Sequence, residues 1–196
     1  VIETAKKVYT QTSIATKPVS VVSLAYHKLK QLNIPLDSRI LIIGSGNTNS
    51  NMCKFLKKHG FSNFIVFNRT VENAENLAGE LKASFYPLSE LPFYKKGFDV
   101  ILTCTGANHN VVSLETYESL LNGDKDLKTL IDIAIPQDIS PEIIQKHKVH
   151  YLSIDVLQKI SNDNLKVRAK EVDCVKLIVN EALEDFIHVV EERNVE

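Results

Sequence analysis

Arg39-Ile40-Leu41-Ile42-Ile43 runs directly into Gly44-Ser45-Gly46-Asn47-Thr48-Asn49, and Met52, Phe55, Leu56 and His59 follow at helical spacing. A short β-branched run bounded by Asp37-Ser38 and Gly44 reads as a strand buried on both faces, the kind found inside a parallel sheet. Gly60 closes the helix, Phe64 to Phe67 is the next strand, and Ala74, Leu77, Ala78 and Leu81 outline a helix that Thr70 could cap. Phe98 to Thr103, Thr129 to Ile133 and Val149 to Leu152 are further strand candidates. Such β-α-β alternation predicts an α/β fold built on a doubly wound parallel sheet, whose ligand crevice lies at the carboxyl ends of its strands.

The ends of the chain have another rhythm. Ile2, Ala5, Val8 and Thr12 are helically spaced, and a second helix restarts at Pro18 with Val19, Val22, Tyr26, Leu29 and Leu32 on one face, until Pro35 ends it. Val172, Val175, Val179, Ala182, Phe186 and Val189 step by three and four, with Lys170, Asp173, Lys176, Glu184 and Glu191 off that face. That spacing predicts a long amphipathic C-terminal helix with a narrow apolar seam, docking outside the sheet domain. Residues 1–35 are thus read as linker helices, 36–160 as the sheet domain and 161–196 as the C-terminal helix. Because Val1 already sits in a helical pattern, a longer parent chain is expected.

With 44% hydrophobic residues in a chain of 196, there is enough apolar material for a real core, which excludes disorder. The 23 basic and 24 acidic side chains nearly cancel, removing an electrostatic case for gripping nucleic acid or an anionic membrane. No apolar run approaches the roughly 18–20 residues of a membrane span, and no secretory signal precedes the domain, so a cytoplasmic protein is expected. Asn68-Arg69-Thr70 matches a glycosylation pattern that has no meaning without such a signal. The 3 cysteines, Cys53, Cys104 and Cys174, lie far apart without a C-x-x-C, which suggests neither a disulfide framework nor a thiolate metal site.

In the first loop, Gly44 permits a tight turn and Gly46 lets the backbone approach a pyrophosphate. The amide N–H groups of Asn47, Thr48 and Asn49 open a helix whose positive dipole end suits an anion. Asn49 stands where the usual fingerprint has a third glycine, and a slightly wider loop is expected. A plain strand-to-helix turn also favours Gly-Ser-Gly; the second strand end tips the balance. There, 24 positions beyond Gly44, the chain has Asn68, Arg69 and Thr70 and no acid. A carboxylate at this place accepts from the ribose 2′-hydroxyl of NAD, whereas an arginine forks onto the 2′-phosphate of NADP. NADPH is therefore favoured over NADH, the alternative being an exposed arginine beside a helix cap.

Thr103-Cys104-Thr105-Gly106-Ala107-Asn108-His109 follows the third strand, and its small residues, with Thr105 and Gly106 foremost, leave room for a flat nicotinamide ribose. Cys104 and His109 have no third group to orient them as nucleophile and base, so neither is read as catalytic. His147 and His150 read as solvated surface, and no metal site is expected. Asp132, inside the apolar run Ile131 to Ile135, requires hydrogen-bond partners that nearby backbone N–H groups could supply; alternatively it shapes the pocket near the nicotinamide.

The ordered set GSGNTN, FNRT followed by ENAENLAGEL, TCTGANH, IDIAIPQDI and a long terminal helix resembles the NADPH-binding domain of glutamyl-tRNA reductases, a Rossmann-type fold. The opening AKKVYTQT followed by PVSV is similar to the linker leading into that domain, so the resemblance covers essentially the whole chain. It departs at Asn49, at Tyr9, where arginine is common, and at Cys104, where serine is common. The resemblance implies an enzyme that reduces glutamyl-tRNA with NADPH to glutamate-1-semialdehyde, opening tetrapyrrole (porphyrin) synthesis. It also implies a thioester-forming cysteine in a separate N-terminal domain and a homodimer built by a C-terminal domain, neither expected within this chain, which alone should be inactive. A shikimate-dehydrogenase-like domain shares the glycine loop and NRT, but folds its last helices back onto a substrate domain. A non-catalytic nucleotide-sensing module is the third reading, kept open by Asn49.

Overall fold

The computed structural model describes residues 1–15 and 17–193. Their elements, in order, are α1 (Ile2–Gln11), α2 (Val21–Gln31), β1 (Ile40–Ile43), α3 (Asn47–Lys58), β2 (Phe64–Asn68), α4 (Val71–Leu81) and β3 (Ser84–Pro87). A 3-10 turn at Leu88–Phe93 leads to β4 (Val100–Thr103), α5 (Leu114–Leu121), β5 (Lys128–Asp132), α6 (Pro141–Lys146), β6 (Val149–Ser153) and α7 (Ile154–Arg193). The chain divides into two compact units, Val21–Leu157 and the described residues of Val1–Ser20 with Gln158–Glu196. No helix among the described residues is long and apolar enough to cross a membrane.

The larger unit is a six-stranded, all-parallel sheet in the order β3-β2-β1-β4-β5-β6. Ile40–Ile43 are buried on both faces, as are Val100–Thr103, which is why these strands read as unbroken apolar runs. Their carboxyl ends are level: Ile43 registers with Phe67 on one side and Thr103 on the other, and Thr103 registers with Asp132. The loops beginning at Gly44, Asn68, Cys104 and Ile133 therefore leave one rim of the sheet together. Winding runs outward from β1 in both directions, and the rim at β1 and β4 is the reversal point where parallel sheets open a crevice.

Several boundaries differ from the sequence expectation. α2 starts at Val21, with Pro18 in the irregular stretch before it; the carbonyl oxygens of Pro18 and Val19 instead accept from Asn164 Nδ2 (2.7 Å) and Ser161 Oγ of α7. β3, α5 and α6 carried no clear periodic signal because they are short and only partly buried. β5 begins one residue early, at the charged Lys128, which is 1% exposed. Its ammonium bonds Asp124 Oδ2 at 2.7 Å, lies 4.0 Å from Asp99 Oδ1 and sits over the Phe98 ring. In the smaller unit, α1 and α7 face each other across an apolar groove of about 830 Å³ lined by Val8, Tyr9, Val179, Leu183 and Phe186. Ser13 N–H is held by Glu171 Oε2 at 2.9 Å. Of the seam residues expected on α7, Val175 and Ala182 are half-buried, and Val172, Val179, Phe186 and Val189 remain exposed.

Removing one partner of a desolvated ion pair strands the other, whereas replacing the cation by an apolar chain does not. Asp124→Ala is expected to cost about 1.5–3 kcal/mol in denaturant unfolding, and Lys128→Met less. The Lys128 ammonium holds the Asp124 carboxyl below its ordinary range. That stabilisation is present above the ordinary carboxylate pKa and fades as pH falls through the lower folded value, so Asp124→Ala should also flatten the acid side of the stability profile.

Candidate functional site

The loops after β1, β2 and β4, with Leu88 beyond β3, enclose a cleft of about 300 Å³ lined by residues that include Gly44, Ser45, Gly46, Asn68, Arg69, Thr105 and Gly106. Seven of the residues singled out in the sequence are thereby brought together. Asn47, Thr48, Asn49 and Thr70 are not in the lining. Asn47 and Thr48 form the exposed first turn of α3, which has Gly46 at its N-cap and no side-chain cap, so the N–H groups there have no intrahelical acceptor. Cys104, Ala107 and His109 of the same β4 loop also line it, and Leu88 and Val111 add apolar walls that no motif announced.

Gly44 is required by geometry. Its N–H donates to Phe67 O at 2.8 Å, its φ is +93°, and a Cβ there would lie 2.6 Å from the Cys104 carbonyl oxygen. The turn out of β1 is thus pressed against the turn out of β4. A Cβ on Gly46 would meet nothing within 4 Å, which leaves open space beside the loop. Asn49 is fully buried and reaches back under the loop, its Nδ2 donating to Ile43 O at 3.0 Å and Gly44 O at 2.7 Å. It ties the last strand residue to the first loop glycine, and its own Oδ1 is left buried without a partner.

At the end of β2, Asn68 Oδ1 accepts from Ser45 N–H (3.3 Å), and Asn68 Nδ2 donates to Thr70 O (2.8 Å). The Asn68 side chain is therefore committed to bracing the glycine loop. Arg69 is exposed on the cleft wall, and no hydrogen bond or ion pair within the described residues engages its guanidinium. Thr70 takes the N-cap position of α4, but its hydroxyl makes no cap bond, contrary to the expected cap.

Two buried carboxylates stand behind the β4 and β5 loops. Asp132, at the end of β5, accepts from Ala134 N–H (3.1 Å) and Ile139 N–H (2.9 Å), the backbone partners its burial demanded. Burial holds its pKa above the ordinary carboxyl value against those two bonds. Asp138, which the sequence reading passed over, is also fully buried and accepts from Thr103 Oγ1, Thr105 N–H (2.8 Å) and Thr105 Oγ1. An acid two residues past Pro136 and next to Ile139 was the available signal, hidden because a loop aspartate ordinarily faces water.

Among the described residues no cysteine is hydrogen-bonded to a histidine. Burial pushes the Cys104 thiol up, Asp138 and Asp132 add to the effect, and its Sγ lies 3.6 Å from Ile133 O. His109 is exposed, with only Asn108 Oδ1 at 3.2 Å from Nδ1. His147 is not solvated surface: it is half-buried, 3.2 Å from Glu118 Oε1 and edge-on to Tyr117. Among the described residues no group of three or more His, Cys, Asp or Glu could hold a metal ion.

Gly44→Ala should cost at least the roughly 1–3 kcal/mol of left-handed strain, with the carbonyl collision added. Gly46→Ala, changing a helix N-cap in open space, should cost about 1 kcal/mol or less; thermal melts compare the two. Iodoacetamide labelling near neutral pH, read by mass spectrometry, should modify exposed Cys174 first and leave Cys53 and Cys104, whose thiols burial keeps protonated, slow to react.

The sequence model of the family "Shikimate / quinate 5-dehydrogenase" matches residues 23–160. The glutamyl-tRNA reductase of Carboxydothermus hydrogenoformans is 34% identical over 186 residues, which cover 93% of this chain and 41% of that protein. The structure of glutamyl-tRNA reductase from Methanopyrus kandleri superposes with a TM-score of 0.84 at 27% identity, covering 98% of this chain and 50% of that one. The nucleotide-binding domain of glutamyl-tRNA reductase from Thermoplasma volcanium shares the fold, with a TM-score of 0.60 at 22% identity over 78% of this chain and 98% of that one. The chain spans about two-fifths to one-half of the longer relatives it matches. By its matched core it belongs to the shikimate / quinate 5-dehydrogenase family, and within that breadth it is a homologue of the dinucleotide-binding part of glutamyl-tRNA reductases.

Proposed function

We propose that this chain is the NADPH-binding module of a glutamyl-tRNA reductase, an oxidoreductase that converts glutamyl-tRNA to glutamate-1-semialdehyde for porphyrin synthesis. The observation that carries the reading is the cleft at the winding reversal, where a glycine loop opening α3 and a guanidinium without a partner face the same space. The residues present fit a dinucleotide: Gly46 borders open space at the turn, and the first-turn N–H groups of Asn47 and Thr48 are available to an anion.

Gly44, Ser45, Gly46, Asn47, Thr48 and Asn49 form or support the pyrophosphate loop, Asn68 braces it, and Thr105 and Gly106 floor the nicotinamide end. When bound, the cofactor supplies the hydride. Arg69 holds the adenosine 2′-phosphate, and Thr70 adds the dipole of the α4 N-terminus. The chain's own share is to bind and orient; the thioester chemistry belongs to a cysteine elsewhere in the protein. Protonated Cys53 and Cys104 support that division.

The family model stops at residue 160, whereas similarity to the M. kandleri reductase covers 98% of this chain, α7 with it. That long tail supports the reductase reading over a shikimate-dehydrogenase-like domain. We read residues 1–35 as linker, 36–160 as the NADP-binding domain and 161–196 as a spinal helix serving a homodimer, in a cytoplasmic enzyme that meets glutamyl-tRNA through its catalytic domain. Isothermal titration tests the cofactor: Arg69→Ala should weaken NADPH by about 1.5–3 kcal/mol, the scale of a hydrogen bond to a charged group, and leave NADH nearly unchanged. Equal losses for both cofactors would reject this role for Arg69.

A further inference from the structure

Resting on that reading, the geometry points to Asp138 as a positioning residue for the nicotinamide half of the cleft, acting through Thr105 without lining the cleft itself. Its carboxylate draws three donors from the end of β4 and the loop beyond it: Thr103 Oγ1, Thr105 N–H and Thr105 Oγ1. The Thr105 hydroxyl, while donating to Asp138, accepts from Ala107 N–H at 3.2 Å. Thr105 is thereby fixed on the carboxylate and Ala107 on the Thr105 hydroxyl, and Gly106, exposed on the cleft floor, is held between them.

Asp138 is itself immobilised. Val112 N–H donates to its carbonyl oxygen (2.9 Å), Ser140 N–H returns a bond to Val112 O (3.0 Å), and Asn110 Nδ2 donates to Gln137 O (2.9 Å). Asp132 anchors the same loop to β5 through Ala134 and Ile139. A fully buried carboxylate is costly to desolvate, and three donors aimed at one group offset that cost only if the loop holds its shape. The side chains that brace the glycine loop, Asn49 and Asn68, and the Arg69 guanidinium make no bond to this network, although Gly44 packs against the Cys104 carbonyl. Phosphate and adenosine recognition on the one side, and nicotinamide placement on the other, are therefore held by separate hydrogen-bond systems.

That separation gives the test. The unaltered chain, Asp138→Asn and Thr103→Val are titrated with NADPH and with adenosine 2′,5′-bisphosphate, which occupies only the Arg69 side. Thr103→Val removes one of the three donors at a buried position outside the cleft lining, and decides the matter alone should Asp138→Asn fail to fold. Asp138→Asn should bind NADPH about five- to tenfold more weakly and Thr103→Val about two- to fivefold, while the bisphosphate stays within twofold of the unaltered chain for both. If the variants lose both ligands alike, or neither, the positioning role is overturned and the NADPH reading stands. If the unaltered chain binds neither ligand, both fall together.

Discussion

Gly44 and the Cys104 carbonyl meet at a distance that no side chain on residue 44 could tolerate. The contact exists because β1 has parallel neighbours on both sides and the crossovers leave it in opposite directions, so that two loops must separate from one point of the rim. Everything else in the site is arranged around that parting. The glycine loop turns into α3, the β4 loop turns the other way, and the space between them is the cleft. A bulkier residue at 44 would push the loops apart and misalign both walls together.

The two walls are secured by different means. On the glycine side the fastening is by amide groups: Asn49 beneath the loop and Asn68 beside it satisfy backbone carbonyl and N–H groups that a turn leaves unpaired. On the β4–β5 side it is by carboxylates, with Asp132 and Asp138 collecting backbone and hydroxyl donors inside the core. Neutral amides suit a wall proposed to receive a diphosphate, since a buried anion there would repel it. Carboxylates are tolerable at the far wall because they are shielded by their own donors and covered by the loops they hold. The protonated state of Cys104 follows from the same placement, as burial and two nearby carboxylates all oppose a thiolate.

Five of the six strands, their parallel winding and the placing of Gly44, Gly46, Arg69 and Gly106 just beyond strand ends were legible in the chain, because unbroken apolar runs followed by small residues leave few alternatives in a parallel sheet, whereas the order of the strands and the exposed β3 were not. The places where the reading slipped have physical causes. Pro18 looked like a helix start, yet its carbonyl is taken by Asn164, a partner 146 positions away that local pattern cannot see. Lys128 was left out of β5 because a lysine seldom enters a core; Asp124 and the Phe98 ring make it possible. His147 was read as solvated and is instead wedged between Glu118 and Tyr117.

Local sequence therefore determined the long, strongly patterned elements, their alternation and the chemistry offered at the strand ends, since backbone conformation at glycine, apolar periodicity and the charge of a guanidinium are properties of the residues themselves. Tertiary structure decided which polar groups are spent on holding the site and which are left for a ligand. Asn68 and Arg69 are adjacent in the chain, but the first is consumed by Ser45 and Thr70 while the second stays unengaged. Asp132 was marked by its apolar surroundings, but Asp138 looks like any loop acid until the fold closes over it. Whether a polar side chain braces or binds depends on which donors the folded chain brings within about 3 Å of it, and sequence distance carries no such information.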